Sequence, residues 1–141
     1  RGFDIVVTAR RRSGQLIMAN AKIDGISTDV VIDTGAETSI GNRALQNAMA
    51  HRKRMSDQTT LHSVTGQTIQ ADIGYARALE LDQMKFVNVM IAYADAPPFA
   101  ALGLARRPAL LLGMRDLRAL DRVAIDFSTR RILFDLPAGA M

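Results

Sequence analysis

The sequence predicts a mostly β domain with one or two short helices. Apolar and β-branched residues alternate at period two through the first third, as in Phe3, Ile5 and Val7. Turn signals such as Arg12-Ser13-Gly14 and Asp24-Gly25 punctuate the chain. Apolar residues at helical spacing are confined to two short stretches, after Asn42 and after Gly113.

Taken in order, Leu16 to Ile23 reads as a strand, and Asp24-Gly25 turns it back because both residues tolerate the positive φ of a tight hairpin. The chain returns through Thr28 to Ile32 and delivers Asp33 at the strand's end. Asn42 is placed to cap a helix carrying Leu45, Ala48 and Met49 on one face. That helix should fade near His51-Arg52-Lys53-Arg54, where cations suit a helix C-terminus. Thr59 to Ser63 and Thr68 to Ala71 read as the arms of a polar hairpin with Gly66 at its tip. Few large apolar residues hold it down, so mobility is expected there. Ala76 to Leu81 and Phe86 to Ala92 read as two further strands. Tyr93 to Arg107 is the least regular stretch, since Pro97-Pro98 excludes a central strand or a helix interior. Ala109 to Leu112 is a short apolar run stopped by Gly113, as expected of a fully buried strand. Met114, Leu117 and Leu120 then share one face of a short helix. Val123 to Phe127 and Ile132 to Leu136 are the closing strands, joined through Ser128 to Arg131.

With 141 residues, 48% of them apolar and 23% charged, the chain suits one globular domain over 1–141. Its start at Arg1 leaves open an origin as a piece of a longer protein. The absence of cysteine excludes disulfides, thiolate catalysis and cysteine metal sites. No apolar run approaches the ~20 residues that span a bilayer, so no membrane contact is expected of this segment. The net charge of +4 is concentrated in Arg10-Arg11-Arg12 and His51-Arg52-Lys53-Arg54. Both clusters adjoin turn or helix-end signals, where solvated cations are ordinary. Without an aromatic platform or a recognition motif, no nucleic-acid partner is expected. His51 and His62 lack ligand spacing, so neither a metal nor another cofactor is expected. No nucleophile elbow supports serine catalysis, and the seven Met residues suit core filling.

Chemistry concentrates at Asp33-Thr34-Gly35-Ala36, directly after the apolar β-formers Val30-Val31-Ile32. An Asp here could simply cap a turn. Its context points further: a buried strand presents a carboxylate at its end, Gly35 permits a sharp turn, Thr34 offers a hydroxyl and Ala36 leaves room beside the acid. Together with the Gly66 hairpin, Leu111-Leu112-Gly113, the following helix and the Val123-Ala124-Ile125-Asp126-Phe127 strand, this order resembles the retropepsin-like aspartic proteases. The likeness is to their bacterial single-domain branch and runs from about Leu16 to Leu136.

The resemblance implies an acid-protease barrel with Asp33 as the catalytic residue and Thr34, Gly35 and Ala36 supporting the active-site loop. Ser63, Val64, Thr65 and Gly66 would form a flap over bound peptide. Leu111, Leu112 and Gly113 would pack behind the site, echoing Val31, Ile32 and Gly35. Two carboxylates are needed, sharing one proton because two close like charges do not both ionise easily. One takes a proton from the attacking water and the other donates to the carbonyl oxygen.

Only one Asp-Thr-Gly is present, and Asp24, Asp116 and Asp126 lie in a turn, a helix and a terminal strand. The second Asp33 is therefore expected from another copy in a homodimer, or its counterpart from a second protease-like domain of a longer chain. The resemblance also implies a polypeptide substrate, terminal strands interleaved across the dimer, and a full-length protein that is periplasmic or membrane-anchored. The chain departs from the pattern in two places. The flap has no aromatic residue near Gly66, Met114 stands where retroviral relatives carry arginine after Gly113, and that arginine comes one place later as Arg115; Glu37 follows the motif where a second acid is common and is assigned no role. The alternative reading is a catalytically silent dimerisation or peptide-binding module on the same fold.

Overall fold

The computed structural model describes residues 3–50, 57–62 and 68–137. In chain order its strands are β1 (Ile5–Thr8), β2 (Arg10–Arg12), β3 (Gln15–Ile23), β4 (Ile26–Ile32), β5 (Ser39–Gly41), β6 (Asp57–His62), β7 (Thr68–Leu81), β8 (Met84–Tyr93), β9 (Ala109–Leu112), β10 (Arg122–Asp126) and β11 (Arg131–Asp135). The helices are α1 (Arg43–Ala50), α2 (Pro97–Ala101) and α3 (Met114–Leu117).

Local sequence builds the first hairpins. Ser13 and Gly14 have φ of 48° and 79°, and Asp24 and Gly25 have φ of 48° and 83°. Two successive positive φ values match the twist of the flanking strands, so β2–β3 and β3–β4 close through two residues each. From there the sheet curls on itself. Neighbouring strands run β3-β4-β9-β5-β8-β7, and β7 returns to pair with β3. Six strands thus form a closed barrel, which removes most open edges. A separate three-stranded sheet, β1-β11-β10, carries both ends of the described chain.

The apolar runs in β4 and β9 follow from burial on both faces. Val30, Ile32, Leu110 and Leu112 enter the main core, while Val31 and Leu111 enter a second cluster with Ile17, Phe99, Leu102 and Leu104. Pairing between β4 and β9 is parallel, Val31 opposite Leu111 and Ile32 opposite Leu112.

Several elements differ from the sequence expectation. Thr68 to Ala71 and Ala76 to Leu81 belong to one strand of 14 residues. Pairing with β6 extends to Ile73 and pairing with β8 begins at Asp72, so the ladders overlap and carry the chain straight through Gly74. β5 is too short, at three residues, to show a period, and its pairing with β8 and β9 defines it. α2 adds a third helical turn that begins on Pro97 and Pro98. Proline in a first turn loses no hydrogen bond, and buried Phe99 anchors the turn on the second cluster. Neither proline sits in a helix interior. The terminal segments pair with each other in one chain, Ile5 opposite Phe134 and Val7 opposite Ile132. Asp135 holds them together by accepting from the Asp4 N–H at 3.0 Å and pairing with Arg122 at 2.5 Å.

Asn42 ties α1 to the barrel and is 2% exposed. Its Oδ1 accepts from the N–H groups of Leu45 and Ala109, at 2.9 and 3.1 Å, and its Nδ2 donates to the carbonyls of Leu104 and Arg107, at 2.8 and 2.7 Å. Alanine at this position would strand buried backbone groups on three segments. Asn42→Ala is expected to cost about 3 kcal/mol, since each buried polar group left unpaired costs ~1–3 kcal/mol. Urea unfolding would show this as a lower midpoint with an unchanged slope.

Candidate active site

The last residue of β4 is Ile32, and the ladder continues one step beyond it: the Asp33 N–H donates to the Leu112 carbonyl at 2.9 Å. Parallel pairing to a buried strand therefore fixes the backbone of Asp33, while its side chain is only partly covered. The carboxylate Oδ1 accepts from the Gly35 N–H at 3.1 Å, and the Ala36 N–H donates to the Asp33 carbonyl at 3.2 Å. A tight loop results, with the acid at its rim.

Gly35 lies in the turn of this loop. Its φ lies outside the left-handed region, and a Cβ built there would sit 3.4 Å from Asp33 Oδ1. A left-handed turn does not demand glycine here, and a Cβ at that distance would make ordinary van der Waals contact with the carboxylate. Thr34 is exposed and has no side-chain hydrogen bond among the described residues. Ala36 accepts from the Met114 N–H at 2.8 Å.

Leu111 and Leu112 pair with Val31 and Ile32 on the strand that leads into this loop, and Gly113 follows them. Gly113 approaches the loop so closely that an added Cβ would meet the Glu37 carbonyl oxygen and the Thr38 carbonyl carbon, each at 2.8 Å. Fully buried Ser39 bridges the two segments. Its Oγ accepts from the Gly113 N–H at 2.9 Å and donates to Asp116 Oδ2 at 2.5 Å. Arg115 adds an N–H bond to the Glu37 carbonyl at 2.8 Å. Sequence reading assigned no role to Ser39 and set Asp116 aside as a helix acid. The partners are 77 residues apart in sequence, so no local pattern links them.

Glu37 also gains a partner. It forms an ion pair with Arg118, and the arginine one place after Met114 is not the one used. The hydrogen bond from Arg118 holds the Glu37 carboxyl below its ordinary range, with the nearby charges of Arg118 and Arg115 adding to the effect. Asp24 and Asp126 are engaged elsewhere, Asp24 on β7 and Asp126 in its own turn. Asp24 accepts from the N–H groups of Arg77 and Ala78, and Asp126 from Ser128 and Thr129.

Two cavities flank Asp33. One, of about 450 Å³, is lined by Asp33, Ile32, Gln15, Pro97, Pro98 and Leu102 among others, which makes it an apolar cleft with the acid on its wall. The other, of about 440 Å³, lies on the Thr34 side among Met114, Leu117, Leu120, Val123 and Ile125. Ser63, Val64, Thr65 and Gly66 fall outside the described residues. No helix among the described residues is long and apolar enough to cross a membrane.

Two outcomes follow from the loop contacts. Gly113→Ala must displace the Glu37-Thr38 backbone, so a lower Tm and a shifted Gly35 amide resonance are expected; an unmoved Gly35 signal would contradict the close approach. Because the folded pKa of Glu37 is lowered, the stability contributed by its pairing is present above the unfolded carboxylate pKa and lost as pH falls through the folded value. Arg118→Gln should return the Glu37 titration upward to the ordinary carboxylate range, measured by carbon NMR of the side-chain carboxyl.

Comparison with known proteins agrees with this geometry. Residues 19–115 match the aspartyl protease family profile. No curated protein matches the chain. Among solved structures, a retropepsin-like aspartic protease from Rickettsia conorii superposes with a TM-score of 0.60 at 17% identity, over 92% of this chain and 88% of that one. The profile spans the Asp33 loop and the Gly113 loop together, and the barrel that joins them has the same fold as the Rickettsia protein. The chain belongs to the aspartyl protease family, on a retropepsin-like fold.

Proposed function

We propose that the protein is an aspartic endopeptidase whose active site forms when Asp33 of two copies meet across a two-fold axis. The observation that carries this reading is the Asp33 carboxylate itself, fixed through its backbone by the β4–β9 ladder and presented at the wall of an apolar cleft. One such loop supplies one carboxylate. Peptide hydrolysis by this chemistry needs a pair that shares a proton, one member activating water and the other protonating the carbonyl oxygen.

The Thr34 side of the loop supports an assembly of copies. Exposed Thr34 adjoins an apolar hollow that includes Leu117, Leu120 and Val123, and Ile125 there is 38% exposed. A two-fold axis beside Thr34 would cover this surface and bring both carboxylates together. A second protease-like domain in a longer chain would satisfy the same requirement. Peptide would lie extended along the cleft, side chains alternating between it and solvent, beneath a flap formed by Ser63, Val64, Thr65 and Gly66.

Asp33→Asn is the deciding variant. It should lower hydrolysis of an apolar test peptide by roughly 10³-fold or more at mildly acidic pH, while sedimentation shows the assembly of the wild type. Wild-type activity should follow a bell-shaped pH dependence, as a shared proton requires. Equal hydrolysis by both proteins would sink the catalytic assignment. Peptide binding by both without hydrolysis by either would instead identify a silent binding module.

A further inference from the structure

We propose that Arg12, with Arg10 beside it, selects peptides carrying an acidic side chain close to the residue held in the apolar cleft; this rests on the reading of that cleft as a peptide site.

Strand register places the two arginines. Arg10 stands opposite Ile17 and Arg12 opposite Gln15, while Arg11 stands opposite Leu16. Residues directly opposite in a ladder share a face, and faces alternate along each strand. Ile17 packs in the second cluster with Leu102 and Phe99, and Gln15 lines the cleft. Arg10 and Arg12 therefore share the cleft face, and Arg11 shares the face of Leu16, which enters the main core.

The guanidinium of Arg12 has a defined seat. Gly103, with φ of 69°, follows cleft-lining Leu102, and a Cβ built on it would lie 3.1 Å from Arg12 Nη2 and 3.2 Å from Cζ. The planar cation thus rests against backbone at the cleft's edge, one residue from Ser13, which also lines the cleft. Exposed Arg106 and Arg107 follow in the same loop.

No ion pair neutralises Arg10 or Arg12 among the described residues. Among the described residues Asp33 is the sole carboxylate in the cleft wall, and exposed Asp95 stands outside it. A cation fixed beside an apolar cleft favours a carboxylate reaching out from the occupant and disfavours an ammonium. Arginine's fork also suits a carboxylate geometrically.

The test uses the full chain and three peptide sets that share a central apolar pair and differ only in Glu, Gln or Lys, placed one to three residues away. Affinity is read by fluorescence anisotropy with the Asp33→Asn protein, and kcat/KM with the wild type. At one position at least, Glu should be favoured over Gln by about fivefold, the scale of a partly exposed ion pair. Lys should be disfavoured, and the preference should shrink towards one at ~1 M salt. Arg12→Gln should bring the Glu-to-Gln ratio to about one and Arg12→Glu should invert it, whereas Arg11→Gln should leave the ratio in place. A ratio of one at every position in the wild-type background, a ratio unchanged by Arg12→Gln, or no peptide binding at all overturns the proposal. Charge-selective binding without hydrolysis would uphold it while removing the endopeptidase reading; hydrolysis without charge preference would do the reverse.

Discussion

Parallel pairing of β4 with β9 is the contact on which the site depends. These strands lie in the middle of the closed barrel and are buried on both faces, so water does not compete for their hydrogen bonds. The ladder runs one residue past β4, and that residue is Asp33. A carboxylate at the end of such a strand has a fixed backbone and a partly exposed head, held by the Gly35 N–H. It is held without being buried.

Everything immediately around Asp33 reinforces that arrangement from behind. Gly113 brings the end of β9 against Glu37 and Thr38 at a distance no side chain would permit. Ser39 fills the remaining polar requirement with one hydroxyl that accepts from Gly113 and donates to Asp116. Met114 and Arg115 close the seam through backbone bonds to Ala36 and Glu37. Four residues of one loop, Ala36 to Ser39, are stitched to four of another, Gly113 to Asp116, with no buried side-chain polar atom unpaired among the described residues. The exposed Glu37–Arg118 pair lies outside this seam. Solvent screens it, so it contributes orientation more than stability.

The two sides of the Asp33 loop have different characters, and this fits a division of labour in the proposed enzyme. Towards β2 and α2 lies an apolar cleft edged by arginine. Towards α3 and β10 lies an apolar hollow beside Thr34. The first fits an extended substrate and the second a partner copy. α2 contributes to the cleft because Pro97 and Pro98 begin a helix that seats Phe99 and Leu102 on the second cluster.

Much of this was legible in the residues alone. Period-two alternation, the Asp24-Gly25 turn, the capped α1 and the strand-borne Asp33 are local patterns set by backbone sterics and by which face of an element is apolar. The family resemblance rested on the same local signals in order. Three things were beyond their reach. The continuity of β7 comes from two overlapping partner strands, not from its own composition. The Ser39–Asp116 bridge and the seat of Arg12 on Gly103 join residues 77 and 91 positions apart, and neither pair has a periodic signature. The sequence by itself determined which residue carries the acid and which strands lead to it. Tertiary structure decided how that acid is held, since close approach between distant segments arises only when the barrel closes.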